Sequence, residues 1–219
     1  MHYDHIAWDF NGTILDDAPI DMAATNVLLA RRHLPLIPDR ATYDRLFRFP
    51  IEEYYRDIGF DFTRESYADM AVEWNAVYRE MQADAPTQKG VSELIRRIAA
   101  AGIPQSVLSA SEEGILREQL ASRGLLSYFE GVWGRGDGLA AGKTDLVLAF
   151  RDRRRPGRVL FIGDTDHDAA CAAAAGFDCV LLTTGHQSAA RLAPLGVPLF
   201  SDGDALADYL AREGFLCPN

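Results

Sequence analysis

The chain has 219 residues, of which 48% are hydrophobic and 25% are charged, and its formal net charge at pH 7 is −10. This composition supplies enough apolar side chains for a core and excludes an intrinsically disordered chain. The acidic excess argues against a surface for nucleic acid or for an anionic membrane, so neither is expected as a partner.

The first predicted strand, Ile6–Trp8, precedes a long segment in which apolar residues recur at helical spacing. No convincing strand interrupts this segment. Its predicted helices are Asp21–Arg32, Ala41–Phe47, Ile51–Ile58 and Arg64–Gln82. We therefore expect a core domain made of residues 1–16 and 85–219, with a small helical domain of residues 17–84 inserted after the first strand.

Beyond the insertion, predicted strands alternate with predicted helices. The strands are Pro104–Leu108, Arg158–Ile162, Asp178–Leu182 and a weaker Pro198–Phe200. The helices are Val91–Ala101, Glu112–Arg123, Lys143–Arg151 and Asp168–Ala175. Apolar strands that alternate with helices indicate an α/β fold with a parallel sheet covered on both faces.

The three cysteines, Cys171, Cys179 and Cys217, include no C-x-x-C pair. We interpret them as free thiols in a reducing cytoplasm, which is the expected location. No stretch approaches the roughly 20 apolar residues that a membrane-spanning helix needs, and the first residues lack a signal-peptide pattern.

Polar residues follow the predicted strands at their carboxyl ends, where open parallel sheets bind ligands. DFNGT (residues 9–13) follows the first strand, SAS (109–111) the second and GDTDHD (163–168) the third. Lys143 begins the helix before the third of these strands. If the strands are neighbours, several carboxylates, a hydroxyl group and one ammonium group meet at one edge of the sheet.

Such a cluster of carboxylates is electrostatically expensive unless a cation shares it. Oxygen ligands without His or Cys at metal-ligand spacing favour Mg²⁺. Asp9 lies at a strand end, ahead of a glycine-containing turn, and this is a suitable position for a nucleophile. Backbone N–H groups of the same turn can bind phosphoryl oxygens.

Taken in this order, the motifs resemble those of the haloacid dehalogenase (HAD) superfamily over essentially the whole chain. DFNGT resembles the first family motif, VLSAS (107–111) the second, Lys143 the third and FIGDTDHD (161–168) the fourth. The resemblance implies a Rossmann-like core with a helical C1-type cap, as in phosphoglycolate-phosphatase-like members. It also implies a Mg²⁺-dependent phosphatase that acts on a small phosphorylated metabolite.

The resemblance further assigns roles to individual residues around the metal. Asp9 would attack phosphorus and form an aspartyl-phosphate. Mg²⁺ would be held by Asp9, the backbone carbonyl of Asn11, and Asp164, while Asp168 would act through water or on Lys143. Lys143 would balance the charge of the nucleophile and the phosphoryl group.

Other residues are expected to bind the substrate. Ser109 would donate a hydrogen bond to a phosphoryl oxygen, helped by the amide of Ala110, and the turn residues Gly12 and Thr13 would add further contacts. Arg48, in the helical segment, is a candidate partner for an anionic substrate. Its alternative role is that of an ordinary solvent-facing residue.

Asn11 departs from the family pattern. In family phosphatases an aspartate at this position protonates the leaving group and then activates water, and losing such a group costs roughly 10²–10⁴-fold in rate. The metal contact uses the main chain, so Asn11 leaves Mg²⁺ binding intact. Three explanations remain open: a substrate with a good leaving group such as an acyl phosphate or anhydride, a phosphate-binding pseudo-phosphatase with little turnover, or a proton relay through another group. Candidates for that relay are Asp16, Asp17, His167 and His186.

Overall fold

The computed structural model describes residues 2–83, 85–136 and 142–216. Within these ranges the strands are β1 (His5–Trp8), β2 (Gln105–Glu112), β3 (Gly131–Arg135), β4 (Val159–Gly163), β5 (Asp178–Leu182) and β6 (Leu199–Phe200). They form one sheet in the order β3-β2-β1-β4-β5-β6, and every pairing is parallel. The predicted α/β fold with a Rossmann-like parallel sheet is therefore confirmed.

Four helices follow β1 before the chain returns to the sheet. They are α1 (Ala18–Arg31), α2 (Arg40–Leu46), α3 (Ile51–Asp57) and α4 (Tyr67–Gln82). We call residues 18–82 the helical segment. Its helices enclose a hydrophobic cluster of their own, which includes Leu28, Tyr43, Tyr54 and Met70 and is separate from the clusters of the sheet. The predicted helices lie within a few residues of the observed ones.

The remaining helices accompany the sheet. They are α5 (Val91–Ala100), α6 (Glu113–Ser122), α7 (Lys143–Arg154), α8 (Asp166–Ala175), α9 (Ala189–Leu192) and α10 (Gly203–Arg212). One hydrophobic cluster joins β1 to α5, α6 and α10, and another joins β1 and β4 to α7 and α8. Because β1 contributes to both clusters, the strand that precedes DFNGT is buried on both faces, as expected for a central parallel strand.

Four elements differ from the sequence-based expectation. The edge strand β3 and the helices α9 and α10 were not predicted, and β2 continues to Glu112, beyond the predicted end at Leu108. The β3 segment GVWGR contains two glycines, which weaken strand propensity. The pairing of β2 with β3 changes register between Leu108 and Glu112, so the extension of β2 is irregular.

Two further expectations concern the cysteines and membranes. Cys171 and Cys179 are free thiols, while Cys217 lies outside the described residues. In the part of the chain that the structure describes, none of the helices has the length and apolar character needed to cross a membrane.

Candidate active site

Three carboxylates meet at the carboxyl edge of the two central strands. Asp9 follows β1, Asp164 follows β4, and Asp168 lies in the first turn of α8. One oxygen from each lies within 4.8 Å of the others. All three side chains are buried, with exposed fractions of 6%, 0% and 1%. The parallel pairing of β1 with β4 accounts for this meeting of residues distant in sequence.

Lys143 lies at the start of α7 and extends into this cluster. Its Nζ donates to one carboxylate oxygen of Asp9 and to one of Asp168. Burial alone would lower the pKa of Lys143, but Asp168 and Asp9 raise it well above its usual value. The ammonium group is therefore charged and neutralises part of the negative charge of the cluster.

The negative charge that Lys143 does not neutralise affects the pKa values of the carboxylates. Burial raises the pKa of Asp9 well above its usual value, and Asp168 and Asp164 add to this effect while Lys143 opposes it. Burial also raises the pKa of Asp164 to about 6. Of the three buried carboxylates, Asp9 and Asp168 share the ammonium group of Lys143, and Asp164 lies beside them, which is the environment that a divalent cation stabilises.

Both carboxylate oxygens of Asp168 have hydrogen-bond partners in the protein. One of its carboxylate oxygens is bound to Lys143, and the other accepts hydrogen bonds from the backbone N–H groups of Asp164 and Thr165, at 3.1 and 3.0 Å. Together with the Thr165 hydroxyl, these contacts form a capping box at the start of α8. Of the two expected roles for Asp168, the structure contains the direct contact with Lys143.

The turn after β1 requires a glycine. Gly12 has φ of +76°, and a Cβ atom at this position would lie 2.3 Å from an oxygen of Asp164. The next residue, Thr13, donates a hydrogen bond from its hydroxyl to Asp164 at 2.8 Å, and this hydroxyl lies 3.4 Å from Asp9. The turn is therefore tied to both carboxylates.

The second motif lies beside the first. β2 runs parallel to β1 with Val107 opposite Trp8, which brings the residues after Val107 next to the DFNGT turn. Ser109 is buried, and its hydroxyl accepts a hydrogen bond from the backbone N–H of Ser111 at 3.2 Å, whereas Ala110 is exposed. The structure thus brings this motif to the site.

Asn11 is held by three neighbours. Its amide nitrogen donates to a carboxylate oxygen of Asp17 at 2.6 Å and to the Tyr78 hydroxyl at 2.7 Å. Its amide oxygen accepts a hydrogen bond from the Ser111 hydroxyl at 2.9 Å. Because a carboxylate only accepts, the contact with Asp17 fixes which end of the amide is nitrogen.

Asp17 is the centre of a buried network. Besides Asn11, it accepts hydrogen bonds from the Gly12 amide at 2.6 Å and from the Tyr78 hydroxyl, and its carboxylate lies 3.4 Å from Nε2 of His186. Burial alone would raise the pKa of Asp17, but His186, Asn11 and Tyr78 hold it below its usual value. Asp17 is therefore a carboxylate that only accepts.

His186 completes the network on the side of β5. Its backbone N–H donates to Asp164 at 2.7 Å, and its Nδ1 lies 2.6 Å from the hydroxyl of Tyr43. Burial alone would lower the pKa of this imidazole, but Asp17, Asp164 and Asp21 raise it to about 10. His186 and Asp17 therefore form a buried ion pair at neutral pH.

The helical segment lies over this edge of the sheet. Arg40 of α2 donates to the carbonyl of Thr184 at 3.0 Å and to that of Gly185, both of which follow β5. Phe47 stacks on His186 with ring centroids 4.8 Å apart, and Phe49 stacks on His167 at 4.7 Å. With Tyr78, these contacts connect the helical segment to the loops that hold the carboxylates.

Arg48 makes other contacts. Its guanidinium group binds Asp57 at 2.6 Å and lies 3.7 Å from Glu53, both within the helical segment. Among the described residues, its hydrogen bonds and ion pairs do not include the DFNGT turn. Arg40 and Arg79 of the helical segment contact the core, Arg79 through Glu112 of β2 at 3.2 Å, and a substrate contact for Arg48 stays a prediction.

Several residues of the site were missed or left unassigned by sequence reasoning. Asp17 and His186 were considered only as relay candidates, Ser111 was included in the second motif without a role, and Tyr43 and Tyr78 were not considered. The spacing of Tyr78 within α4 marks it as an ordinary helix residue. Its contact with Asn11 spans 67 residues, so it becomes visible only when the helices are placed over the sheet.

Comparison with known proteins agrees with this arrangement. The sequence profile of a family described as "Haloacid dehalogenase-like hydrolase" matches residues 6–182. A phosphoglycolate phosphatase of Rhodobacter capsulatus is 29% identical over 198 residues, which cover 83% of this chain and 85% of that protein. The tyrosine-protein kinase PtkA of Mycobacterium tuberculosis is 26% identical over 188 residues, which cover 84% of this chain and 63% of the kinase.

Solved structures share the fold. A haloacid dehalogenase-like hydrolase from Streptococcus pneumoniae superposes with a TM-score of 0.82 at 15% identity, covering 95% of this chain and 98% of the other. A HAD family hydrolase from Deinococcus radiodurans, with bound phosphate and sodium, gives a TM-score of 0.72 at 23% identity and covers 99% of each chain. At these identities the likeness concerns the fold alone.

Proposed function

Because the chain belongs to the haloacid dehalogenase-like hydrolase family, we propose that it is a Mg²⁺-dependent phosphatase that acts on a small phosphorylated metabolite. The observation that carries this proposal is the buried cluster of Asp9, Asp164 and Asp168 with Lys143. The similarity to phosphoglycolate phosphatases supports a small phosphorylated substrate. An aspartyl-phosphate on Asp9 is the proposed intermediate.

The donor set fits a hard divalent cation. Asp9 and Asp164 offer buried carboxylate oxygens, and the main-chain carbonyl of Asn11 is the third proposed ligand. Asp168 faces Lys143 and the start of α8, so we assign it the role of holding that lysine. Mg²⁺, when bound, would neutralise the charge of the phosphoryl oxygens and make phosphorus more electrophilic.

The protein groups have complementary roles in this proposal. The Asp9 carboxylate attacks phosphorus, and Lys143 favours the ionised form of that carboxylate and balances the phosphoryl charge. Ser109, with the amide of Ala110 and the turn residues Gly12 and Thr13, binds the phosphoryl oxygens. Exposure of Ala110 leaves its surroundings open to a ligand.

We also propose that residues 17–84 are a cap domain and that residues 1–16 and 85–219 are the core domain. The separate hydrophobic cluster of α1–α4 supports this division. The contacts of Arg40 with Thr184 and of Tyr78 with Asn11 support a cap that covers the site and excludes water. Both proposals place the substrate between the helical segment and the sheet edge.

The test is hydrolysis of nitrophenyl phosphate by the purified full-length chain. We expect turnover with Mg²⁺, none with EDTA, and none in Asp9→Asn. Asp152→Asn is the matched control because Asp152 is an exposed residue of α7 that pairs with its neighbour Arg151. This control should keep wild-type activity, since it changes the same kind of side chain away from the cluster.

The alternative is a pseudo-phosphatase that binds phosphorylated ligands without turnover because Asn11 replaces the general acid and base. A wild-type protein that binds a phosphate analogue such as vanadate, yet hydrolyses no member of a broad panel of phosphorylated metabolites and aryl phosphates, would establish that alternative. Activity in Asp9→Asn equal to wild type would refute the proposed nucleophile.

A further inference from the structure

The side chain of Asn11 is fixed in place as a neutral group. Both of its amide N–H groups donate, one to Asp17 and one to the hydroxyl of Tyr78, and its oxygen accepts from the hydroxyl of Ser111. A carboxamide donates and accepts hydrogen bonds but does not ionise at neutral pH, so it does not act as a general acid or base. These three hydrogen bonds fix the orientation of the Asn11 side chain, which therefore has a structural role here and does not transfer protons.

The groups in contact with Asn11 do not replace the missing proton donor. The Tyr78 hydroxyl proton is donated to Asp17, and the Ser111 hydroxyl proton is donated to Asn11 itself. Asp17 accepts hydrogen bonds from Asn11, Gly12 and Tyr78, so its oxygens hold no proton to give. The neighbouring imidazole of His186 directs Nε2 to Asp17 at 3.4 Å and Nδ1 to the Tyr43 hydroxyl at 2.6 Å, so both of its ring nitrogens face protein groups. Among the described residues that touch Asn11, each available proton is already committed to another atom.

The network therefore supports an amide rather than a carboxyl group at position 11. A carboxylate here would lie beside the carboxylate of Asp17, at the 2.6 Å that now separates the amide nitrogen from an Asp17 oxygen. Two carboxylates at that distance repel unless one carries a proton. The surroundings of Asn11 match an amide donor, which indicates that the chemistry proceeds without an acid at this point.

From this arrangement we propose that the natural substrate carries its phosphoryl group on an oxygen that departs as an anion, as in an acyl phosphate, a phosphoanhydride or an aryl phosphate. This proposal rests on the phosphatase function proposed above and specifies its substrate class. Alkyl phosphates, whose alkoxide leaving groups need a proton, would be poor substrates.

The two steps balance without an acid from the protein. An oxygen of Asp9 forms a bond to phosphorus while the bond from phosphorus to the leaving oxygen breaks, and the leaving group departs with the electron pair. Water then attacks the aspartyl-phosphate, the bond from phosphorus to Asp9 breaks, and the Asp9 carboxylate is restored. The protons of that water end on inorganic phosphate and in solvent.

The experiment measures kcat/KM with Mg²⁺ for dinitrophenyl, nitrophenyl, phenyl and ethyl phosphate. The rate of Asp9→Asn is subtracted as background. For the wild type we expect kcat/KM to fall steeply as the leaving group becomes more basic. For Asn11→Asp, kcat/KM should fall less steeply along the same series. On ethyl phosphate it should exceed the wild-type value by at least tenfold, within the roughly 10²–10⁴-fold that a general acid contributes.

Asn75→Asp is the control for the added charge, because Asn75 is exposed on α4 and donates to the carbonyl of Ala71 at 2.7 Å, within its own helix. It should reproduce the wild-type series. If Asn11→Asp fails to fold, the wild-type series alone decides, because a shallow dependence on the leaving group would overturn the proposal. Acetyl phosphate and pyrophosphate form the second arm, and a preference for either identifies the acyl phosphate or the anhydride.

Two failures can be told apart. If ethyl phosphate is hydrolysed as fast as nitrophenyl phosphate, or faster than both acetyl phosphate and pyrophosphate, the substrate class is wrong and the phosphatase function stands. If none of these compounds is hydrolysed, the phosphatase function itself fails, and the substrate class fails with it.

Discussion

The hydroxyl of Tyr78 in α4 donates a hydrogen bond to the carboxylate of Asp17, which precedes α1. The same hydroxyl accepts from Asn11 of the DFNGT turn. One side chain of the helical segment is thus hydrogen-bonded to two residues at the site. The contact spans 61 residues of sequence and is buried.

Tyr78→Phe should therefore destabilise the protein. It leaves the amide of Asn11 and the carboxylate of Asp17 each short of a buried partner, which costs about 1–3 kcal/mol. Chemical denaturation measures the free energy of unfolding. The control is Tyr67→Phe on the same helix, since Tyr67 makes ring contacts that a phenylalanine retains. Equal effects of the two substitutions would contradict the role of the Tyr78 hydroxyl.

Lys143→Met should destabilise the protein when EDTA removes divalent cations. Two buried carboxylates, Asp9 and Asp168, lose their shared cation, and breaking a buried pair in this way costs about 3–5 kcal/mol. Added Mg²⁺ should restore part of the loss, since it supplies positive charge to the same carboxylates. Denaturant unfolding with EDTA and with Mg²⁺ measures both effects.

Lys89→Met is the matched control for Lys143. Lys89 also contacts two carboxylates, those of Asp202 and Asp204 at 2.9 and 3.3 Å, but it is exposed. Solvent screens an exposed pair, so its contribution to the free energy of unfolding should be small. If Lys143→Met lowers the free energy of unfolding no more than Lys89→Met does, burial of the cluster is unimportant for its stability.

The contribution of His186 to stability should decline in alkaline solution. Its pKa is raised from 6.5 to about 10 by Asp17 and other carboxylates, against the opposing effect of burial. The folded state therefore binds a proton that the unfolded state releases first, and this stabilisation is complete below about pH 6.5 and is lost as pH rises through about 10. Unfolding of wild type and His186→Gln across this range measures the decline.

The pKa of His5 is shifted in the opposite direction to that of His186, so its contribution to stability has the opposite pH dependence. Burial lowers its pKa from 6.5 to about 4, so its neutral form stabilises the fold above about pH 6.5, and that contribution is lost as pH falls through about 4. His5→Gln should therefore reduce the sensitivity to acid, while His186→Gln changes the alkaline side. The same trend in both variants would show that these two environments are not those described.

Gly12→Ala should reduce both stability and phosphatase activity. The left-handed conformation costs an alanine about 1–2 kcal/mol, and the added Cβ would lie 2.3 Å from an oxygen of Asp164. Gly176→Ala separates these effects, because Gly176 has φ of +74° with nothing within 4 Å of the added atom. We expect the larger loss at Gly12, with activity affected there alone; equal unfolding free energies would contradict the clash.

The sheet could be predicted because its central strands carry strong local signals. The segments that became β1, β4 and β5 are apolar runs, and burial on both faces selects such runs. The edge strand β3 carries no such signal, because its pairing with β2 depends on main-chain hydrogen bonds that glycine also makes. Local sequence does not encode that pairing.

The site was predictable where it depends on strand ends. Asp9 and Asp164 meet because β1 and β4 pair in register, with Trp8 opposite Ile162. The contacts of the helical segment follow a different rule, since they depend on how α2 and α4 are placed over the sheet. Arg40 rather than Arg48 reaches the loop after β5, and nothing in the spacing of these arginines distinguishes them.

The central place of β1 in the sheet has a consequence for synthesis of the chain. This strand is synthesised before both of its partners, which are residues 105–107 and 159–162. A nascent chain shorter than this second partner exposes one main-chain edge of an apolar strand, and such edges template aggregation. Asp9 therefore gains its neighbour Asp164 only after β4 has been synthesised, and chains halted before residue 159 should need a chaperone to remain unaggregated.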